Sequence, residues 1–197
     1  MSGPETVADR YSRRATTFAA VIAAAQPDRW SSSSPCAEWT AADVLQHVVD
    51  MHSAMFTPLD QSLSPAPTVH DDPLGAFNHA RSDIERALAD SAVADATVQT
   101  PMGPATFADH VDSVASADLV VHGWDLARAL GLEHRIDPGE VEAAWPGAAE
   151  MPDIMRIPEA FGPGIVVFGP IVDVPETAPL HDRLLGLLGR DPYWKAP

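Results

Sequence analysis

Asp118-Leu119-Val120-Val121-His122-Gly123-Trp124-Asp125-Leu126-Ala127-Arg128-Ala129-Leu130 reads as a helix sorted into faces. Asp118, His122, Asp125 and Ala129 recur at steps of three and four, so they stack along one side. Val111, Val114 and Val121 flank that row, and Gly131 follows as a natural C-cap. The spacing predicts a helix from Phe107 to Leu130 that carries a polar row beside an apolar stripe. Such a row must face something that satisfies it.

Three earlier segments carry the same period. Tyr11, Ala15, Phe18, Val21, Ile22 and Ala25 give a first helix from about Glu5 to Gln26, ended by Pro27. Thr40 followed by Asp43 is a capping box, and it opens a second helix that runs to about Phe56. Val44, His47, Val48, Met51 and Met55 share one face of it, which puts His47 on the core side. Leu74, Phe77, Ile84 and Leu88 mark a third helix from about Pro73 to Ser91. Pro58, Pro65, Pro67 and Pro73 make the link between the second and third helices long and irregular. Val98 to Thr106 reads as a turn or a small hairpin around Met102-Gly103. Four helices with one crossover predict a mainly α protein, an antiparallel four-helix bundle over residues 1–135.

Residues 136–197 change character. Pro138, Pro146, Pro152, Pro158, Pro163, Pro170, Pro175 and Pro179 make this a Pro/Gly-rich C-terminal extension. It has too little regular core to be an independent domain, so it is expected to pack on the bundle. Ile165 to Phe168 suits a short strand, and Leu180 to Leu188 a short amphipathic helix.

Composition narrows the class of function. The chain has 197 residues, 46 % of them hydrophobic, which suffices for one sizeable core. No run of apolar residues is long enough to cross a membrane. Met1 to Arg14 lacks the apolar stretch of a signal peptide, so a cytoplasmic protein is expected. The net charge is −16, and Lys195 is the lone lysine. Such a chain repels phosphate backbones and anionic lipid, so neither nucleic acid nor membrane is an expected partner. A small-molecule substrate is, with the chain as monomer or homodimer. Cys36 is the sole cysteine, which excludes an intramolecular disulfide and a zinc site built from cysteines. It follows a serine loop and has Glu38 nearby, so nothing local activates it as a nucleophile.

His47, Asp118 and His122 are the candidate metal ligands. Imidazole and carboxylate suit a divalent first-row ion, and bundles build such sites from facing helices. Three protein ligands leave a coordination position open. Spacing alone favours a blander arrangement, an Asp118–His122 ion pair with a hydrogen-bonded core His47.

A resemblance reverses that preference. Trp30, Pro35-Cys36, Glu38-Trp39-Thr40, His47, and Val121-His122-Gly123-Trp124-Asp125-Leu126-Ala127-Arg128-Ala129-Leu130-Gly131 resemble the DinB-like superfamily. The chain is most similar to the actinobacterial branch related to mycothiol-dependent maleylpyruvate isomerase. Ala178-Pro179-Leu180-His181-Asp182-Arg183-Leu184-Leu185 and Leu188-Gly189-Arg190-Asp191-Pro192-Tyr193-Trp194 are similar to it too, so the likeness spans nearly the whole chain. The resemblance implies a divalent metal on His47, Asp118 and His122, with zinc favoured and nickel or iron as alternatives. It also implies mycothiol or a similar thiol as cosubstrate. This chain has Asp118 where the isomerase has Glu, and a smaller C-terminal region, so the substrate pocket need not be shared.

The expected function is a metal-dependent enzyme that uses such a thiol to isomerise or conjugate a small electrophile. A metal-dependent hydrolase and a non-catalytic metal or small-molecule binder are the alternatives. No separate catalytic residue is identified. Asp125 either orients a histidine from behind or caps a neighbouring loop. Trp39 and Trp124 are core packing or an aromatic wall for substrate. Arg128 holds a substrate carboxylate or, more in keeping with its spacing, pairs with Asp125. His52 points away from His47 in a structural or solvent role. His110 lies far from the metal and at most lines the cavity. His70, His79, His134 and His181 are expected at the surface.

Overall fold

The computed structural model describes residues 5–160 and 167–196. The chain divides into two compact units, Met1–Glu133 and His134–Pro197. Helix dominates, and the strands among the described residues form one small hairpin.

In the first unit, α1 (Val7–Ala23) opens on a capping box between Thr6 and Asp9 and buries Tyr11, Ala15, Phe18, Val21 and Ile22. Helix α2 (Ala41–Phe56) opens the same way on Thr40 and Asp43, as the sequence predicts. Helix α3 (Pro73–Ala89) starts at a proline, which suits its first position. The Asp72 carboxylate there accepts the Gly75 N–H at 2.9 Å. A short helix, α4 (Ser91–Ala94), leads into the hairpin of β1 (Thr97–Thr100) and β2 (Gly103–Thr106), with Thr97 opposite Thr106. Then α5 (Phe107–Val111), a π-helical turn at Asp112–Ser116, and α6 (Ala117–Ala129) continue without a break. The α6 end is a Schellman motif. Gly131 takes φ 73°, and the Leu132 N–H reaches the Ala127 carbonyl at 2.8 Å.

Side-chain pairs fix the helix directions. Arg10 meets Asp112 and Arg14 meets Ser116, so α1 and the α5–α6 rod run parallel. Ser12 meets Glu85 and Thr16 meets Arg81, so α1 and α3 run antiparallel. His47 meets His122 and Phe56 meets Phe107, so α2 and the rod are antiparallel. Each helix packs against two others in the ring order α1, α3, α2, α6. Helices α2 and α3 are therefore parallel neighbours. Residues 57–72 must return the chain along the bundle, which explains why that link is long. It is tied down where Ser64 donates from both its N–H and its hydroxyl to the buried Asp83 carboxylate, at 2.6 and 3.1 Å.

Tyr11, Phe18, Leu45, Phe77, Ile84, Phe107 and Leu126 lie fully buried in the bundle core. Each aliphatic or phenyl group there contributes about 1.5–3 kcal/mol from burial.

The second unit holds a helix that counting prolines misses, α7 (Pro138–Ala149). Pro138 sits at the first helical position, where its lost N–H costs nothing, and the Asp137 carboxylate accepts the Gly139 N–H at 2.8 Å. Pro146 does lie inside the helix. Ala143, Ala144, Ala148 and Ala149, the strongest helix formers, surround it and offset that cost. Helix α8 (Leu180–Leu187) forms as the sequence predicts and buries Leu184 and Leu185. Its Arg183 guanidinium lies 4.7 Å over the Trp145 ring of α7. Gly189 follows at φ 79°, where a Cβ would meet the Gly169 backbone at 3.0 Å. The strand expected at Ile165 to Phe168 falls partly outside the described residues, and Val167 and Phe168 are not in a strand. His181 is not the surface residue expected. Its Nδ1 meets Asp182 at 2.9 Å and its Nε2 accepts the Ile136 N–H at 3.4 Å. His134 is half-buried as well, whereas His70 and His79 are exposed.

Candidate metal centre

The candidate centre lies in the first unit, where α2 faces α6. His47 comes from the second turn of α2, while Asp118 and His122 stand one turn apart near the start of α6. The π-helical turn ends at Ser116, two residues before Asp118. Helix α1 grips that turn. Arg10 binds the Asp112 carboxylate through two nitrogens at 3.0 and 2.7 Å, and Arg14 donates to Ser116 Oγ at 2.9 Å. A π turn adds a residue to a helix and so rotates the residues after it onto a new face, which is why such turns recur at functional sites.

The three expected ligands converge. His47 Nε2 lies 3.5 Å from Asp118 Oδ2. The His47 and His122 ring centres are 4.8 Å apart. One ligand atom from each of His47, Asp118 and His122 lies within 4.8 Å of the other two. A tetrahedral ion with bonds of about 2.0–2.2 Å needs donors roughly 3.3–3.6 Å apart, so the spacing fits with small side-chain adjustments. His47 and Asp118 each keep 30 % side-chain exposure, so the centre is partly accessible to solvent.

His122 is buried, and its Nδ1 lies 3.0 Å from Oδ2 of the fully buried Asp125. A carboxylate accepts, so Nδ1 carries the proton and the Nε2 lone pair is left for a metal. The roles expected for Asp125 are to orient a histidine or to cap a neighbouring loop, and its carboxylate touches both His122 and Cys36 of the loop before α2.

The same Asp125 oxygen accepts a hydrogen bond from Cys36 Sγ at 3.2 Å. Sequence reasoning missed this contact, because the partners are 89 residues apart and nothing near Cys36 announces it. The loop before α2 delivers the thiol. Its backbone closes on itself through Ser34 N–H to Trp39 O at 2.8 Å and Trp39 N–H to Cys36 O at 3.1 Å. Glu38 takes φ 66°, an uncommon conformation for a residue with a side chain. The loop also places Trp39, whose ring lies 4.9 Å from that of His47 and stacks 6.1 Å from that of His122. Trp39 is thus a wall against two of the candidate ligands.

Trp124 is fully buried. The Arg128 guanidinium lies 5.5 Å from the Trp124 ring centre. The Arg128–Asp125 pair that the spacing favours does not form, because the Asp125 carboxylate is turned toward His122 and Cys36. Arg128 Nε is instead buried with no hydrogen-bond partner among the described residues.

His52 has the structural role rather than the solvent one. It is fully buried, with Nδ1 at 2.6 Å from Val48 O and Nε2 at 2.9 Å from the Tyr11 hydroxyl. Burial pushes its pKa down to about 4. His110 is half-buried and does not join the cluster; burial lowers its pKa as well.

A family model described as the mycothiol maleylpyruvate isomerase N-terminal domain matches residues 11–127. That span holds Cys36, Trp39, His47, Asp118, His122 and Asp125. Similar proteins include two uncharacterised ones from Mycobacterium tuberculosis, Rv0738 of strain H37Rv and MT0763 of strain CDC 1551. Each is 28 % identical over 180 residues, which cover 91 % of this chain and 95 % of the relative. No solved structure matches.

Proposed function

This chain belongs to the mycothiol maleylpyruvate isomerase N-terminal domain family, and from that premise we propose a divalent-metal enzyme that uses a low-molecular-weight thiol of the mycothiol type to isomerise or conjugate a small electrophile. The observation that carries the reading is the convergence of a buried His122 with His47 and Asp118, which are each 30 % exposed. These three residues would hold the ion, and their nitrogen and oxygen donors suit zinc, with nickel or iron as alternatives. Bound there, the ion would lower the pKa of a thiol at its open position and supply a thiolate at neutral pH.

The residues around it fit that chemistry. Two neutral imidazoles and one carboxylate would offset one of the two positive charges of a divalent ion, so a thiolate at the open position would bring the centre to neutrality. Asp125 keeps the His122 proton on Nδ1 and its ring fixed. Trp39 closes one side against bulk water. Further along α6, six residues on from His122, Arg128 has a buried Nε with no hydrogen-bond partner among the described residues and is the candidate cation for an electrophile that carries a carboxylate.

The open position admits water as well as a thiol, which keeps the hydrolase reading in play, and a binder that does no chemistry is the third. One assay separates them: turnover of a panel of electrophiles and esters, with and without thiol, by wild type and His122→Ala. Thiol-dependent turnover lost in His122→Ala supports the proposal. Thiol-independent hydrolysis replaces it with the second reading, and equal rates for the two proteins end it.

A further inference from the structure

We propose that Cys36, Asp125 and His122 form a second metal position, one that contains a thiolate, takes a thiophilic divalent ion such as cadmium, and shares His122 with the first. The geometry rests on one oxygen. Asp125 Oδ2 lies 3.2 Å from Cys36 Sγ and 3.0 Å from His122 Nδ1. The three ligand atoms lie within 4.8 Å of one another. A zinc-sized ion bound tetrahedrally by sulfur at about 2.3 Å and by nitrogen and oxygen at about 2.0–2.2 Å sets its donors roughly 3.3–3.7 Å apart, and a larger ion such as cadmium sets them somewhat wider. The two contacts to Asp125 Oδ2, at 3.2 and 3.0 Å, are within a few tenths of an ångström of the zinc-sized spacing, and the sulfur and imidazole ligand atoms, no more than 4.8 Å apart, close on the ion by side-chain rotation.

Charge and softness favour it. A thiolate and a carboxylate together cancel the two charges of the ion. Asp125 is fully buried and His122 nearly so, and burying a neutral assembly avoids most of the penalty on a lone charge. Cys36 is half-buried and gives the ion its way in. The first centre offers only nitrogen and oxygen, so a soft ion prefers the position with sulfur. On binding, the thiol proton leaves to solvent and the imidazole proton moves from Nδ1 to Nε2. His122 then has no lone pair facing His47 and Asp118, so one ion excludes the other. This exclusion rests on the reading of the first centre; the triad itself does not.

The test titrates the 197-residue chain, freed of metal by a chelator, with cadmium(II) and monitors the ultraviolet sulfur-to-metal charge-transfer band. Wild type should show a band that saturates at one ion per chain. Cys36→Ser keeps a donor to Asp125, so the fold is preserved, and should lose the band. Asp125→Ala should shift half-saturation upward by about tenfold or more. His47→Ala should leave the band unchanged. Absence of a band in wild type overturns the proposal. So does an unshifted curve in Asp125→Ala, which means adventitious binding to a bare thiol. Loss of the band in His47→Ala would put the sulfur in the first centre and overturn it too. An intact band without thiol-dependent turnover sinks the functional reading and leaves this one standing.

Discussion

Asp125 Oδ2 and His122 Nδ1 sit 3.0 Å apart on one face of α6, both buried. That pairing decides which nitrogen of His122 is free. Asp125→Asn removes the charge that holds the proton on Nδ1. Metal affinity at the first centre should fall by about 10–100-fold. Competition against a chromophoric chelator measures it, with circular dichroism to show the helices intact. An unchanged affinity would mean that the pair only braces the helix.

Asp118 should matter more to metal than to fold. Its side chain is 30 % exposed and faces His47. Asp118→Ala should strip the metal while unfolding free energy in urea changes by no more than about 1 kcal/mol, near the range of surface substitutions. A larger loss would make the carboxylate a structural group.

Trp124→Ala should do the reverse. The indole is fully buried, and truncating such a residue costs about 3–5 kcal/mol. Urea unfolding should show that loss. The folded fraction of the variant should still bind metal with wild-type affinity, because Trp124 makes no ring contact with His47 or His122.

His52 should make stability depend on pH. Burial depresses its pKa from 6.5 to about 4, so the folded protein keeps the ring neutral where the unfolded chain protonates it. Its contribution is complete above pH 6.5 and is lost as pH falls toward 4, below which it stays flat. The full swing is about 3 kcal/mol. Burial lowers His110 and His134 in the same direction, so the comparison must be internal. Unfolding free energies of wild type and His52→Gln, taken at both ends of that window, should differ in slope, with the variant flatter. Equal slopes would assign the pH dependence elsewhere.

Local chemistry makes much of this molecule legible from sequence. The Thr40–Asp43 capping box and the turn at Gly131 involve residues a few positions apart, and both form as spacing predicts. The apolar stripes of α1, α2 and α3 point to the bundle for the same reason. The meeting of His47 with His122 needs two helices to pack on the predicted faces, and spacing alone leaves a plainer alternative open. What escapes depends on non-local or non-ideal geometry. The contact of Cys36 with Asp125 spans 89 residues, and the loop that carries Cys36 has a left-handed Glu38 that nothing in Ser34-Pro35-Cys36-Ala37-Glu38-Trp39 marks. The π turn at Asp112–Ser116 is invisible to a search that assumes 3.6 residues per turn. Helix α7 is hidden when proline is taken as a breaker at Pro138 and Pro146 alike, although the first position of a helix welcomes it.

That His47, Asp118 and His122 hold one divalent ion, at a position open to a thiol, is the proposal on which the function rests. It is tested most directly by zinc binding in a Cys36→Ser background, where the second position cannot form, with and without His47→Ala. Calorimetry should give one ion per chain for Cys36→Ser, and binding should be abolished when His47→Ala is added while the helical signal persists. Equal zinc binding by the two proteins, or none by either, would contradict the account.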